Sequence, residues 1–231
     1  MKFNKRPKIC TTILSKELES LKKSILEALR LGSDLIEIRL DFMTHIDLRM
    51  ICNTLSEFID KCIFTMRCKS EGGYFNGDEK ERLRILWELS LLKPAYLDLE
   101  LSTIKRKDDY SLHILNSGTN IIVSWHDFEK TPSKNELLKI IQEASSYSNY
   151  IKIVTMASDF SDNIKILSLY REVKDKKLIA FCMGEKGIIS RILCPYLGSP
   201  FTYASFNLPA APSQLNLVDM LDLYAILKLE D

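Results

Sequence analysis

A lysine stands in the middle of a short aliphatic segment that is typical of a β-strand. The segment SNYIKIVTMA spans residues 148–157, and Lys152 points to the strand face opposite Ile151 and Ile153. On a half-buried strand such a lysine faces solvent. Inside a closed barrel it is partly desolvated, which disfavours the ammonium form and supplies an amine that can attack a ketone or aldehyde. The iminium formed in this way acidifies the adjacent carbon.

A histidine on another predicted strand could supply the base that this chemistry needs. His126 lies in the segment IIVSWHDF, on the face opposite Trp125. An imidazole near neutral pH can remove a proton from the carbon next to an iminium. The other two histidines, His45 and His113, fall in or near predicted helices, and we interpret both as surface or packing residues.

Charged side chains share one face on several further predicted strands. They are Glu37, Arg39, Asp41, Asp98 and Glu100, with Arg67 at the end of another strand. In a wrapped parallel sheet such charges must meet one another or a ligand, because isolated buried charges are costly. An ion-pair network of Glu37, Arg39 and Asp98 is one interpretation. The whole set favours a polar substrate pocket, in which we expect Lys152 to lie beside Arg39 or Arg67.

The elements that would position these residues alternate along the whole chain. Strand-like runs occur near residues 8–14, 34–40, 61–67, 95–101, 120–125, 150–156, 178–183 and 201–205. Helical periodicity occupies residues 15–32, 78–93, 133–147, 159–174 and 213–228, with Ser15 as the N-cap of the first helix and Gly32 as its C-cap. About eight strand-helix units predict an α/β fold, a (β/α)₈ TIM barrel with one domain over residues 1–231.

Composition limits the class of partner. The chain has 231 residues, 46% of them hydrophobic, and a net charge of +1, so it has neither the basic footprint typical of nucleic-acid binding nor a stretch long enough to cross a bilayer. We therefore expect a cytoplasmic protein that acts on a small molecule. The six cysteines are scattered without metal-like spacing, which predicts reduced, buried thiols and no structural metal.

Several longer motifs occur in one order along the chain. They are EIRLDF (37–42), TMRCKSEGGYFNG (65–77), YLDLEL (96–101), SWHDF (124–128), IKIVTMA (151–157), MGEKGIISRIL (183–193) and APSQ (211–214). Together they resemble the type I 3-dehydroquinate dehydratases of the shikimate pathway, from Ile9 to Gln214. The resemblance implies loss of water from 3-dehydroquinate to give 3-dehydroshikimate, with no metal or dissociable cofactor, and the family often forms homodimers.

The resemblance also implies a role for individual residues. Lys152 matches the lysine that forms the Schiff base, His126 the general acid and base, and Glu71 the carboxylate that orients the histidine. The implied substrate contacts are Glu37, Arg39, Arg67, Arg191 and Gln214, with Arg191 pairing with the substrate carboxylate. The loop that carries Gln214 is expected to close over the ligand.

Three features depart from the family pattern. Ala210 stands where relatives commonly have a serine, and Ser213 stands where the usual residue is glycine. The short N-terminus leaves no room for the hairpin that closes the bottom of many related barrels, so closure there must be simpler.

Two other functions stay open. Gly184 and Gly187 follow the seventh predicted strand, where barrels often bind phosphate, so a Schiff-base aldolase acting on a sugar phosphate is one alternative. A tight turn is the structural interpretation of the same glycines. A ligand-binding barrel without catalysis is the second alternative, although pure binding has no use for a nucleophile paired with a base.

Overall fold

Eight parallel strands form the framework of the computed structural model, which describes residues 6–227. They are β1 (Ile9–Ile13), β2 (Leu35–Arg39), β3 (Cys62–Thr65), β4 (Tyr96–Glu100), β5 (Ile121–Asp127), β6 (Tyr150–Met156), β7 (Lys177–Met183) and β8 (Thr202–Ser205). The first strand pairs with both the second and the eighth, and the ladder runs without a break from β7 back to β1. Within the described residues no ladder joins β7 to β8. The strands thus form a nearly closed (β/α)₈ barrel, which confirms the predicted fold class.

Helices cover the outside of this barrel. Within residues 6–227 they are α1 (Leu18–Leu31), α2 (Leu48–Leu55), α3 (Glu79–Ser90), α4 (Leu101–Ile104), α5 (Asp109–Leu115), α6 (Lys134–Ala144), α7 (Ser161–Leu167), α8 (Leu169–Glu172), α9 (Ile188–Leu193) and α10 (Leu217–Leu227). Their apolar stripes pack on the outward strand faces; Leu21, Ile25 and Ala28 of α1, for example, are buried. This burial stabilises the fold by roughly 25 cal/mol for each Å² of apolar surface.

The first helix confirms one predicted cap and contradicts the other. Gly32 ends α1 with a left-handed φ of 114°, and its N–H donates to the carbonyl of Ala28. Ser15 is not the N-cap, because the helix begins at Leu18 and the capping position is Glu17. The Ser15 hydroxyl instead donates to the carbonyl of Glu17 at 2.8 Å, so this side chain bonds the chain before the helix rather than its first N–H groups.

The predicted helix over 159–174 is two short helices in the structure, α7 and α8. They meet at Ser168, whose hydroxyl donates to the carbonyl of Lys165 at 2.7 Å. Such side-chain bonds compete with helical backbone bonds and favour a break. The last predicted helix is present from Leu217 to Leu227, and the predicted final residue, Lys228, lies outside the described residues.

Aromatic side chains fill the end of the barrel where the strands begin. Tyr96 of β4 meets Tyr150 of β6 edge to face at 4.9 Å between ring centroids and lies 5.6 Å from Phe201. These rings pack together at this end of the barrel; the first five residues lie outside the described part of the chain.

The cysteines agree with the expectation of free and largely buried thiols. All six cysteines are free; five are buried and Cys52 is half-buried. None of the helices in residues 6–227 combines the length and the apolar character that crossing a bilayer demands. His45 and His113 are exposed, as predicted for surface residues.

Candidate active site

One cavity opens at the carboxyl ends of the strands, and it has a volume of about 510 Å³ with its mouth included. All eight residues to which the family resemblance assigns a role line this cavity. They are Glu37, Arg39, Arg67, Glu71, His126, Lys152, Arg191 and Gln214. They come together because parallel strands deliver their carboxyl ends to the same rim of a barrel.

Lys152 points into the barrel, and its side chain is 6% exposed. The sequence predicts Arg39 or Arg67 beside this lysine, and Arg67 shares the Asp98 carboxylate with it. Its Nζ lies 3.1 Å from Asp98 Oδ2 and 3.4 Å from Glu37 Oε1, so the nearest charges are carboxylates. Burial would raise the pKa of Glu37, but the positive charges of Lys152 and Arg39 outweigh burial and lower it.

A buried ion-pair network continues from this lysine across two more strands. Arg67 Nη2 donates to Asp98 Oδ1 at 2.9 Å, and its Nη1 donates to Glu100 Oε1 at 3.0 Å. Burial opposes ionisation of Asp98, yet Arg67 and Lys152 hold the pKa of this carboxyl well below its usual value. The predicted network therefore exists with different members, because Lys152 takes the place that the sequence suggested for Arg39.

Arg82 completes the network from outside the barrel, and sequence reasoning missed it. This arginine of α3 is 1% exposed and donates from Nη1 to Glu100 Oε2 at 3.1 Å. A signal was present, because Arg82 occupies the same helical stripe as Leu86 and Leu89, where a charge must find a buried partner.

Arg39 has a partner of its own. Its Nε and Nη2 donate to the two oxygens of Asp41 at 2.9 and 2.8 Å, a geometry that fixes the plane of the guanidinium. The same carboxylate accepts the backbone N–H groups of Arg67 at 3.3 Å and Tyr74 at 3.1 Å. Asp41 thus joins the end of β2 to the loop that follows β3.

The predicted contact between Glu71 and His126 is present. His126 Nδ1 lies 3.0 Å from Glu71 Oε2, and Ser102 Oγ donates to the other carboxylate oxygen at 2.6 Å. Burial raises the pKa of Glu71 to about 7, against the opposing effect of Arg67. Burial, with the positive charges of Arg67 and Lys152, lowers the pKa of His126 well below its usual value. Nothing in the sequence pattern singled out Ser102, which reaches this site from α4.

Arg191 differs from the other arginines of the cavity. It is 2% exposed, and among the described residues its Nη2 has no hydrogen-bond partner and no carboxylate lies within salt-bridge distance. Its guanidinium lies 4.3 Å from the ring centroid of Phe181. Burial lowers the pKa of Arg191 to about 10, so the group is still a cation near neutral pH and suits an anionic ligand.

The loop after β8 brings Gln214 to the rim. Its side-chain Oε1 accepts the N–H of Ala210 at 2.9 Å, which pins the loop on itself. Ser213 has a φ of 54°, in the left-handed region that favours glycine, so the departure from the family pattern places a side chain where it is strained. The carbonyl of Pro212 accepts the N–H of Gly184 at 3.2 Å and ties the loop to the end of β7.

The glycine segment after β7 forms a turn in the structure. Gly187 donates its N–H to the carbonyl of Gly184 at 2.9 Å, which closes a tight turn, as the structural interpretation predicts.

In the part of the chain that the structure describes, no cluster of three or more histidine, cysteine or acidic side chains could hold a metal ion.

Fold and cavity together define a class of protein. It is a (β/α)₈ barrel whose polar cavity contains a buried lysine, a histidine held by a carboxylate, and an arginine that lacks an anionic partner. Barrels of this kind bind their ligands at the carboxyl ends of the strands.

Comparison with known proteins narrows the class to one family. The model of the type I 3-dehydroquinase family matches residues 9–231, so the chain belongs to this family. It is 36% identical to the 3-dehydroquinate dehydratase of Dehalococcoides mccartyi strain 195 over 232 residues, covering 98% of this chain and 99% of the relative.

Solved structures agree with this assignment. The crystal structure of 3-dehydroquinate dehydratase from Geobacillus kaustophilus is similar with a TM-score of 0.86 and 26% identity, covering 96% of this chain and 91% of that chain. The type I enzyme from Clostridium difficile with covalent modified comenic acid is similar with a TM-score of 0.83 and 26% identity, covering 96% and 92%.

Proposed function

We propose that this protein is a 3-dehydroquinate dehydratase that works through a Schiff base on Lys152. One observation carries the proposal: the buried lysine, the Glu71–His126 pair and Arg191, whose Nη2 has no hydrogen-bond partner among the described residues, line the same cavity. The substrate named for the relatives has a ketone and a carboxylate. These are the two groups that an amine nucleophile and a buried arginine would receive.

The first step is attack of Lys152 Nζ on the ketone carbon. The ammonium first gives up one of its three protons so that the nitrogen can attack, and a C–N bond forms. That proton and a second one from the nitrogen leave with the ketone oxygen as water, and the nitrogen keeps the third, so an iminium results. The burial of Lys152 among fixed charges supports this step, because the site holds the nitrogen in one place and excludes bulk water. The iminium then draws electrons from the adjacent carbon.

His126 acts next as the base. Its Nδ1 is engaged by Glu71, which leaves Nε2 as the nitrogen that takes a proton from the carbon beside the iminium. The lowered pKa of His126 keeps the imidazole neutral and ready to accept a proton near pH 7. The resulting imidazolium returns this proton to the tertiary hydroxyl, which leaves as water, and hydrolysis of the iminium releases the product and restores the lysine.

The remaining polar groups would bind the rest of the substrate. Arg191 would pair with the carboxylate, while Glu37, Arg39 and Arg67 would bind hydroxyls and Gln214 would contact the ligand from the closing loop. The structure favours this ligand over a sugar phosphate, because the N–H of Gly184 is already bonded to Pro212. A phosphate could not use that N–H without displacing the loop.

The test is reductive trapping followed by mass spectrometry. Borohydride added with 3-dehydroquinate should attach a substrate- or product-derived group to Lys152 in the wild-type protein. An adduct on a different lysine, or none, would contradict the proposal. The substitution Lys152→Met should remove the adduct while leaving modification of exposed lysines such as Lys105 unchanged.

A second variant tests the base separately. In His126→Ala the trapped adduct should retain the mass of the water that wild type eliminates, because the iminium forms but its neighbouring carbon is not deprotonated. The rate of water loss should fall by about 10²- to 10⁴-fold. Equal loss of water in both proteins would assign the base to another residue.

A further inference from the structure

A phenol ring lies beside the lysine nitrogen in the barrel interior. The ring centroid of Tyr203 is 4.2 Å from Lys152 Nζ, and Tyr203 is 3% exposed. The face of an aromatic ring attracts a cation at this distance. Neither the sequence pattern nor the steps described above give this residue a role.

The ring interacts with the nitrogen in a different way from the carboxylates. Glu37 and Asp98 accept N–H groups of the ammonium, which has three of them to donate. An iminium retains one N–H at most, so conversion of Lys152 to the iminium removes hydrogen bonds to the carboxylates. The attraction to a ring face depends on the charge of the nitrogen and not on its hydrogens, so it persists through the conversion.

We propose that Tyr203 is a positioning residue whose ring face holds the Lys152 nitrogen in both of its cationic forms, ammonium and iminium. The iminium part rests on the proposed function, whereas the ammonium part does not. Burial raises the pKa of Tyr203 well above its ordinary value, so the phenol is neutral over the working pH range. Glu37 and Asp98 contact the nitrogen, Cys10 and His126 interact with it electrostatically, and Arg67 shares the Asp98 carboxylate with it.

The ring rather than the hydroxyl is the part that acts. Among the described residues the Tyr203 hydroxyl is buried without a hydrogen-bond partner, so it does not orient the ring. Rings of Phe181 and Phe201 hold it instead, at 6.1 and 5.6 Å between centroids. Tyr203→Phe therefore keeps the interaction, and Tyr203→Leu removes it.

The first experiment needs no substrate. Formaldehyde with cyanoborohydride methylates neutral amines, and mass spectrometry measures the methylation of Lys152 across a pH series, with exposed lysines as internal references. The midpoint is the pH at which methylation of Lys152 is half-maximal. Loss of the ring makes the ammonium less favourable, so this midpoint should move down in Tyr203→Leu by about half to one pH unit, a three- to tenfold change. Tyr203→Phe should match wild type.

A matched control separates the ring from simple loss of packing. Phe201→Leu truncates the neighbouring ring in the same barrel core, and Phe201 has no cation contact with Lys152. Its midpoint should equal that of wild type. An unmoved midpoint in Tyr203→Leu, an equal shift in Tyr203→Phe, or an equal shift in Phe201→Leu would each overturn the proposal.

The second experiment adds 3-dehydroquinate and borohydride. Below the methylation midpoint, Tyr203→Leu should trap as much adduct as wild type, because the ring stabilises ammonium and iminium alike. The alkaline fall in trapping should move down by the same half to one pH unit. A reduced yield at low pH would overturn the iminium part. Absence of any wild-type adduct would instead refute the proposed function, and the methylation result would still decide the role of Tyr203.

Discussion

At the scale of single residues, the cavity places buried charges in unequal surroundings. Arg39 has a bidentate carboxylate partner in Asp41, whereas Arg191 has an aromatic face and an unpartnered Nη2. Glu71 is buried beside a neutral imidazole and is not fully compensated. Uncompensated groups destabilise the free protein, and in a binding site this cost is recovered when a ligand of opposite charge arrives.

The two arginines should therefore respond to the same substitution with opposite signs. Arg191→Met removes an unpaired buried charge and should raise the free energy of unfolding by about 1–3 kcal/mol, while it raises KM. Arg39→Met leaves Asp41 buried without its partner and should lower the free energy of unfolding by about 3–5 kcal/mol. Denaturant unfolding measures both. Destabilisation by Arg191→Met would show that Arg191 is already compensated without a ligand.

Glu71 makes stability depend on pH. Its pKa in the folded protein is about 7, above the value near 4.5 of a free glutamate, so the contribution of Glu71 to stability is complete below about pH 4.5 and is lost as pH rises to 7. Relative to wild type, Glu71→Gln should gain about 2–3 kcal/mol across this window. Urea unfolding at a series of pH values checks this.

An exposed glutamate supplies the control for that series. Glu136 belongs to the capping box of α6, and hydrogen bonds from Ser133 lower its pKa. Its contribution to stability is present above pH 4.5 and is lost as pH falls, so Glu136→Gln should show a pH trend of opposite sign. A flat difference for Glu71→Gln would mean that Glu71 has the same pKa in the folded and the unfolded protein.

At the scale of elements, the loop after β3 connects the base to its carboxylate. Gly72 follows Glu71 with a φ of 81°, and Phe128 covers it and stacks on His126 with ring planes 23° apart. A Cβ on Gly72 would lie 2.7 Å from the Phe128 ring. A side chain at this position would strain the left-handed backbone and push the Phe128 ring that stacks on His126.

Gly72→Ala should lower kcat at least tenfold, because it displaces Phe128 and with it the His126 ring. It should also cost about 1–2 kcal/mol of stability for the left-handed backbone. Gly118→Ala is the matched control: its φ is 77°, but a Cβ there meets only the flexible end of Lys93, at 3.2 Å. The control should lose similar stability and keep kcat. Equal kcat in both variants would show that the conformation of the loop does not affect His126.

At the scale of the whole molecule, a chain of buried charges links the cavity to the helix layer. It runs from Lys152 through Asp98, Arg67 and Glu100 to Arg82 on α3. Each member is held by at least one partner of opposite sign, so the chain fixes the strand ends relative to the outer helices. Removing one member leaves a buried charge on the next.

Two arginines of α3 test this chain. Arg82→Met should lower the free energy of unfolding by about 3 kcal/mol, because Glu100 loses a buried partner. Arg84→Met removes an exposed ion pair with Glu88 on the same helix and should change the free energy of unfolding by less than about 0.5 kcal/mol. Thermal or denaturant unfolding of both variants gives the comparison. Equal effects would show that the buried chain adds nothing to stability.

Assembly is the one expectation at this scale that no contact in the structure addresses. A homodimer stays a prediction, with Val218 and Ile226 of α10 among the exposed apolar side chains that could join such an interface. Sedimentation of the wild-type chain measures it directly.

The sequence by itself determined the barrel and which strand faces supply charged side chains to its interior. Alternation of apolar and charged residues along DLIEIRL and AYLDLEL separates the outer from the inner strand face, and parallel strands bring their carboxyl ends together, so Glu37, Arg39 and Lys152 had to meet. The helix breaks and the first N-cap were less predictable, because single side-chain hydrogen bonds at Ser15 and Ser168 decided them.

Only the tertiary structure decided which charged side chains contact one another. Lys152 contacts Asp98 and Glu37 rather than an arginine, and Ser102 and Tyr203 join the site without any signal in their spacing. The physical reason is that alternation specifies a side chain's face, whereas its partner depends on strand register, barrel tilt and rotamer. Those quantities are set by packing over the whole barrel and not by any local segment of the chain.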